Sequence, residues 1–309
     1  MKLRESFKIH KFSWKNSIWI TAVHLIALLF CWQYFTWGAF VTFIIIYYVT
    51  GMIGITFSFH RMLTHQGFKV SKFTKNFTAL LGTLACQGGP ISWVGSHRVH
   101  HAFSDVKEDP HDSSKGFWHS HIGFIFYRRG DLDSSKEVAH YCPDLAKDKF
   151  MWFLENNMIL IQFIFGFSIL ALGGLLGDKP GFDWYSAISF TVWGVFVRLV
   201  AVYHATWLVN SATHKWGTRP NNTNDASRNN WWVALISFGE GWHNNHHAQP
   251  RSARHGWHWW QLDITWLLIR FLSLFHIVKA VKVNAAPAPV PISVTSKNSI
   301  YPTSDKTTN

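Results

Sequence analysis

Cysteine is scarce in this chain: Cys31, Cys86 and Cys142 are the only three in 309 residues, and they stand far apart. That excludes a disulfide framework, a Cys-x-x-Cys metal motif and the cysteine set of an iron–sulfur cluster. No GxGxxG fingerprint is present, so no dinucleotide fold is built in, and no HExxH or EF-hand pattern occurs. The basic start runs into an apolar stretch without a small-residue cleavage site, which reads as a retained membrane helix and not a cleaved signal. Charge is also sparse. Charged residues make up 15%, with 17 acids against 29 Lys and Arg and a net charge of +12. A nucleic-acid binder would cluster such charge with stacking aromatics on a soluble domain. Here Lys and Arg flank apolar runs instead, as the positive-inside rule describes. A basic face of this kind would also attract an acidic redox partner or anionic headgroups.

What the chain has in quantity is apolar length, aromatic residues and histidine. Aromatics reach 17%, with 18 Trp and 26 Phe, and Trp favours the membrane–water interface. Four runs are long enough to span the roughly 30 Å hydrocarbon core: residues 17–36, 38–59, 156–177 and 184–209. Phe77 to Ile91 is shorter and Gly-rich, and reads as a re-entrant or interfacial helix, or as a core helix of a cap. Arg198 lies inside the fourth run, where it would meet a headgroup or carboxylate, or snorkel. Residues 60–155 and 210–283 then form a cap, and the Ala-, Pro-, Ser- and Thr-rich stretch 284–309 has too little to bury to fold.

Nineteen histidines are present, and nine fall into four pieces. His60 and His65 follow the second run in HRMLTH. His97, His100 and His101 form one HxxHH box, and His243, His246 and His247 a second. His214 ends NSATH after the fourth run. Residues three and four apart share a helix face, so each HxxHH box can point one way, and Asn210 can join His214. His60 and His65 are about 140° apart on an ideal helix, so they must use a helix end or loop, or bracket a metal from two sides. Nine imidazoles exceed the four ligands of a single zinc and suit two ions of Fe, Zn, Cu or Ni. His111, His119, His121 and His255 lie near the boxes and suit supporting roles; His10, His24, His140, His204, His258 and His276 read as packing or surface groups.

Two crossings and four crossings both return the chain to its starting side, so all four pieces emerge on one face. That face holds 27 of the 29 Lys and Arg, which makes it cytoplasmic, with both termini. Iron at such a site, opening into the membrane, points to oxygen-dependent attack on an apolar substrate. Electrons must come from a separate protein.

HRMLTH, GSHRVHHAFSD, DPHDSSKGFW, NSATHKWG and GEGWHNNHHAQPRSARHG, in this order, resemble the membrane fatty acid desaturases. They resemble most the delta-9 branch, which includes stearoyl-CoA desaturases and bacterial, notably cyanobacterial, acyl-lipid enzymes. The likeness covers roughly residues 15–280 of the expected domain, 1–283. It implies an all-α integral membrane protein with four transmembrane helices under a cytosolic helical cap, and a kinked acyl tunnel. It also implies two iron ions. His60, His65, His97, His101 and His246 would hold one; His100, His214, His243 and His247 would hold the other, with Asn210 carrying a water. Gln87, Trp93, Thr206 and Trp207 match the tunnel bend, and Tyr47 or Tyr48 would cap its depth. Dioxygen is the implied co-substrate, the acyl carrier is a membrane lipid or CoA, and the donor is ferredoxin or a b-type cytochrome. A di-iron fatty acid hydroxylase or alkane monooxygenase would share the histidines and differ in product. A metal transporter would instead line a path across the membrane with them.

Overall fold

Apolar runs in this sequence are preceded by Ser, Thr, Asp or Asn, and the structure uses these residues as helix caps. The molecule is described by a computed structural model over residues 10–132 and 134–283; the expected tail 284–309 lies outside the described residues. Ser13 caps α1 (Trp14–Phe30), and Thr36 caps the next helix by accepting from the Ala39 amide at 3.2 Å. Asp183 does the same for the Tyr185 amide at 3.0 Å. Such a cap satisfies amides that have no partner inside the helix.

Three helices are long and apolar enough to cross a membrane: α2 (Trp37–Thr64), α5 (Lys149–Leu175) and α6 (Trp184–His214). The expected first crossing is shorter than its apolar run. α1 has 17 residues, because the chain turns after Phe30 to reach the Thr36 cap. α2 runs past the expected end at residue 59 and carries the first histidines within it. α5 begins before residue 156, and α6 continues through Asn210 to His214. Outward-facing Phe163, Ile164 and Phe167 leave α5 with an apolar exterior.

Phe77 to Ile91 is not one helix. α3 (Lys72–Thr83) and α4 (Pro90–Phe103) are separated by a turn in which Cys86 has φ 52° and Gly88 φ 101°. α3 lies directly on α2: a Cβ on Gly54 would stand 2.6 Å from the Gly82 backbone nitrogen. Short helical turns and one strand, Tyr127–Arg129, occupy residues 113–132 and 134–146. Three shorter helices follow α6: α7 (Trp231–Ile236), α8 (His243–Ala248) and α9 (Ile264–Leu274). Two antiparallel strand pairs fasten distant segments, His10–Phe12 on Tyr127–Arg129 and Lys69–Val70 on Val278–Lys279. One apolar cluster, with Phe57, Phe59, Val94, Leu154 and Ile269, packs α2, α4, α5 and α9 together beneath the histidines.

Arg198 corrects an expectation. It is fully buried, and its guanidinium donates to backbone carbonyls of Leu84 (2.6 Å) and Gly194 (3.2 Å), reaching neither headgroup level nor a carboxylate.

Candidate metal centre

The last part of α2, Tyr48–Thr64, is wound as a π-helix. In that winding residue i+5 bonds back to residue i, and the His65 amide donates to the His60 carbonyl at 3.2 Å. The wider turn brings side chains five apart onto one face. The two rings, 140° apart on an ideal α-helix, have centroids 4.8 Å apart. Here the spacing that resisted an α-helical reading is accommodated by changing the helix.

The nine histidines gather into two groups. His60, His65, His97, His101 and His246 each offer a ring nitrogen within 4.8 Å of the others, and so do His100, His214, His243 and His247. The two HxxHH boxes contribute crosswise. α4 sends its i, i+4 pair, His97 and His101, to the first group and His100 to the second; α8 sends His243 and His247 to the second and His246 to the first. Within the groups Nε2 atoms face one another, His97 to His101 at 3.1 Å, His60 to His246 at 3.1 Å and His214 to His243 at 3.1 Å.

The outer nitrogens explain this arrangement. Nδ1 of His60 lies 2.7 Å from Glu240, that of His100 2.9 Å from Asp109, that of His214 2.9 Å from Asp105 and that of His247 2.7 Å from Asp225. A carboxylate there holds the proton on Nδ1 and turns the Nε2 lone pair inward, as carboxylates do behind metal-bound histidines. Burial pushes the Asp109 carboxyl up, but His100 and His111 outweigh it and hold it well below the usual range. Glu240 is likewise held far down, against burial, by Arg61 and His60. Burial depresses His65, His97, His101, His243 and His246 well below the ordinary imidazole range, and neighbouring rings add to it; His247 falls to about 4. Neutral imidazoles with lone pairs converging at 3 Å repel one another unless a cation lies between them. His65 Nε2 is buried without a hydrogen-bond partner. The donor set therefore fits two divalent transition-metal ions.

Below the groups opens a narrow, largely apolar cavity lined by Tyr47, Gly51, Trp93, Thr206, Asn210 and Phe238 together with His60, His97 and His243. Asn210 thus stands in the wall beside both groups. Gln87 lies behind the wall, donating to Thr206 Oγ1 at 2.9 Å and accepting from Trp93 Nε1 at 3.3 Å. Two expected tunnel residues are elsewhere. Trp207, about 100° round the helix from Thr206, stacks on Tyr203 and His24. Tyr48 is 40% exposed and packs on the rim at Phe238, while Tyr47 lines the cavity and donates to the Ile236 carbonyl.

The fatty acid desaturase family profile matches residues 35–273. The chain belongs to the fatty acid desaturase family. It is similar to the sn-1 stearoyl-lipid 9-desaturases of Synechocystis sp. (49% identical over 271 residues, 87% of this chain and 80% of that protein) and of Anabaena variabilis (47%, 87% and 94%). The sn-2 palmitoyl-lipid 9-desaturase of a Nostoc species is 41% identical over 269 residues, 87% of this chain and 90% of that protein. The desaturase assignment makes it an oxidoreductase.

The carboxylates were not assigned from sequence. Asp105 and Asp109 lie four and eight residues after His101, and Glu240 three before His243. In a chain so poor in acids, that proximity was the available signal. His111 and His255 do stand beside the groups: His111 lies 4.2 Å from the His100 ring centre and His255 4.4 Å from that of His246.

Proposed function

We propose that this chain introduces a cis double bond at carbon 9 of a saturated acyl chain carried on a membrane glycerolipid, with dioxygen as co-substrate. Two electrons come from a separate ferredoxin or b-type cytochrome. The observation that carries this reading is the pair of imidazole groups facing the end of an apolar cavity. The names of the relatives support the position and the lipid carrier.

On this reading His60, His65, His97, His101 and His246 hold one iron ion, and His100, His214, His243 and His247 the other. Bound iron supplies the oxygen activation that breaking an unactivated C–H bond requires. The protein supplies the rest. Asp105, Asp109, Asp225 and Glu240 keep the Nδ1 protons in place, so that Nε2 remains a donor to metal. Asn210 positions a water beside the second group. Val202, Thr206, Phe238 and Tyr47 take up the acyl chain and exclude bulk water along it, while Trp93, 5.0 Å from the His97 ring centre, forms the wall nearest the reacting carbons.

Residues 1–283 form one desaturase domain. α1 and the turn after it make the first of four crossings, followed by α2, α5 and α6, and the cap of residues 60–155 and 210–283 faces the cytoplasm. The concentration of Lys and Arg on that side supports this orientation. A thiol introduced by Lys179→Cys should react with an impermeant reagent from outside intact cells; protection there with reaction from within would reverse the topology.

Expression in a strain lacking desaturases tests the function. A new cis bond at carbon 9, lost in His100→Ala, is expected. A hydroxylated acid would move the assignment to the hydroxylases, and metal uptake without lipid change would favour a transporter. No new product even with ferredoxin co-expressed would reject the desaturase.

A further inference from the structure

Arg198 is an unusual residue to find fully buried in a helix of this kind. Among the described residues no carboxylate lies within ion-pair distance of it, and its flank is the Phe165 ring, 5.5 Å away. An unmatched buried cation costs several kcal/mol after relaxation, so its contacts must return something. The principal one is the Leu84 carbonyl at 2.6 Å. Leu84 is the C-cap of α3. The end of a helix presents carbonyls without partners and the negative pole of the helix dipole. A guanidinium satisfies both.

The same helix fastens the two following positions of the turn. Tyr203 donates to the Cys86 carbonyl at 3.1 Å, and its hydroxyl is held in turn by Trp19 Nε1 at 3.0 Å. Gln87 Nε2 donates to the Val202 carbonyl at 3.2 Å and to Thr206 Oγ1. Arg198, Val202, Tyr203 and Thr206 form one strip along α6, and Val202 and Thr206 are also cavity wall. The turn needs such fastening, since Cys86 is a non-glycine residue at φ 52°, a conformation that persists only where surrounding contacts impose it. From Gln87 the linkage passes to Trp93, whose ring lies against His97 and His60.

We propose that Arg198 and Tyr203 are positioning residues for the reaction. By fastening residues 84–87 to α6 they fix Gln87, and through it Trp93, and so determine which carbons of the acyl chain stand opposite the histidines. This rests on the desaturase reading of the cavity. Neither side chain touches substrate or metal. Their removal therefore alters where the double bond forms, not only how much forms.

The test is the positional isomer ratio made by full-length variants in a host lacking desaturases, alongside iron content of the purified proteins. Tyr203→Phe removes one hydroxyl and keeps the ring. It should retain iron and yield a second positional isomer, shifting the isomer ratio roughly fivefold, as the loss of the buried hydrogen bond to the Cys86 carbonyl implies. Arg198→Met should shift it further, and Arg198→Lys, which keeps a donor for the Leu84 carbonyl, should restore part of the original ratio. If Tyr203→Phe retains iron and makes only the wild-type isomer, the inference is overturned, whatever the Arg198 variants do. No alkene from the unaltered protein would overturn the desaturase function itself, and this inference with it.

Discussion

Replacing Asp109 by Asn should empty one half of the centre and spare the other. Asp109 is buried, and both its oxygens lie 2.9–3.0 Å from His100 Nδ1. They also accept the backbone amides of Asp105 at 2.9 Å and His111 at 3.1 Å. Every neighbour is a donor. An amide offers one oxygen where the carboxylate offers two, and turns an NH2 toward a donor that it cannot accept. Loss of a partner behind a metal-bound histidine typically weakens the metal tenfold to a hundredfold, or about 1.4–2.8 kcal/mol. His100 belongs only to the second group. Elemental analysis after dialysis against a graded chelator should therefore find the variant falling from about two ions per chain toward about one, at a chelator concentration that leaves the unaltered protein loaded. Asp148→Asn, which breaks a surface contact with Lys75, is the control and should keep both. Equal loss from both groups, or no loss, would refute the assignment of Asp109 to one group.

Tyr47→Ala should lengthen the acyl chains accepted, read in the product profile, whereas Tyr48→Ala should leave the profile unchanged; the reverse would return the cap of the cavity to Tyr48. Gly54→Ala sets a methyl group against the Gly82 backbone at 2.6 Å. It should lower stability by about 1–3 kcal/mol as overpacking does, read as an earlier thermal transition in detergent. Asp144 is held below its ordinary pKa, against burial, by the Arg98 guanidinium at 2.6 Å. A carboxyl depressed in the fold contributes stability above its unfolded pKa of about 3.9 and loses it as pH falls through the folded value. Asp144→Asn should thus lower stability most near neutrality and flatten the acid limb of a pH–stability curve below about pH 4, where the unaltered protein loses the same contribution; an unaltered acid limb would show that Arg98 does not hold it.

The boxes were legible because ligand spacing is a local property: three and four residues on a helix share a face wherever that helix lies. The long apolar runs of α2, α5 and α6 were legible for the same reason, as length and hydropathy need no partner. Three features were not. The π-winding that unites His60 and His65 is a change of helix type over Tyr48–Thr64, and nothing in HRMLTH announces it. The break at 84–89 depends on carbonyl partners on α6, more than a hundred residues away. Tyr47 and Tyr48 are adjacent and chemically alike, and only the rotation of α2 decides which one faces the cavity. Trp207 was misplaced similarly, since a one-residue step turns a helical side chain to another neighbour.

The carboxylates behind the imidazoles have a consequence for how the cap comes together. Asp105, Asp109, Asp225, Glu240 and Asp263 are five negative charges, and the buried Arg61 guanidinium, 2.9 Å from both Glu240 and Asp263, offsets one of them. Two divalent ions would carry four positive charges, so on the proposed di-iron reading the loaded centre would be electrically neutral. Buried charge without compensation is unstable. α4 and α8 contribute to both groups and α6 to the second, so on the metal-bound reading their mutual approach would be opposed by that charge until ions arrive. On the proposed reading the cap would resemble a salt whose counterions are its metal ions, and its closure would be coupled to metal supply during synthesis.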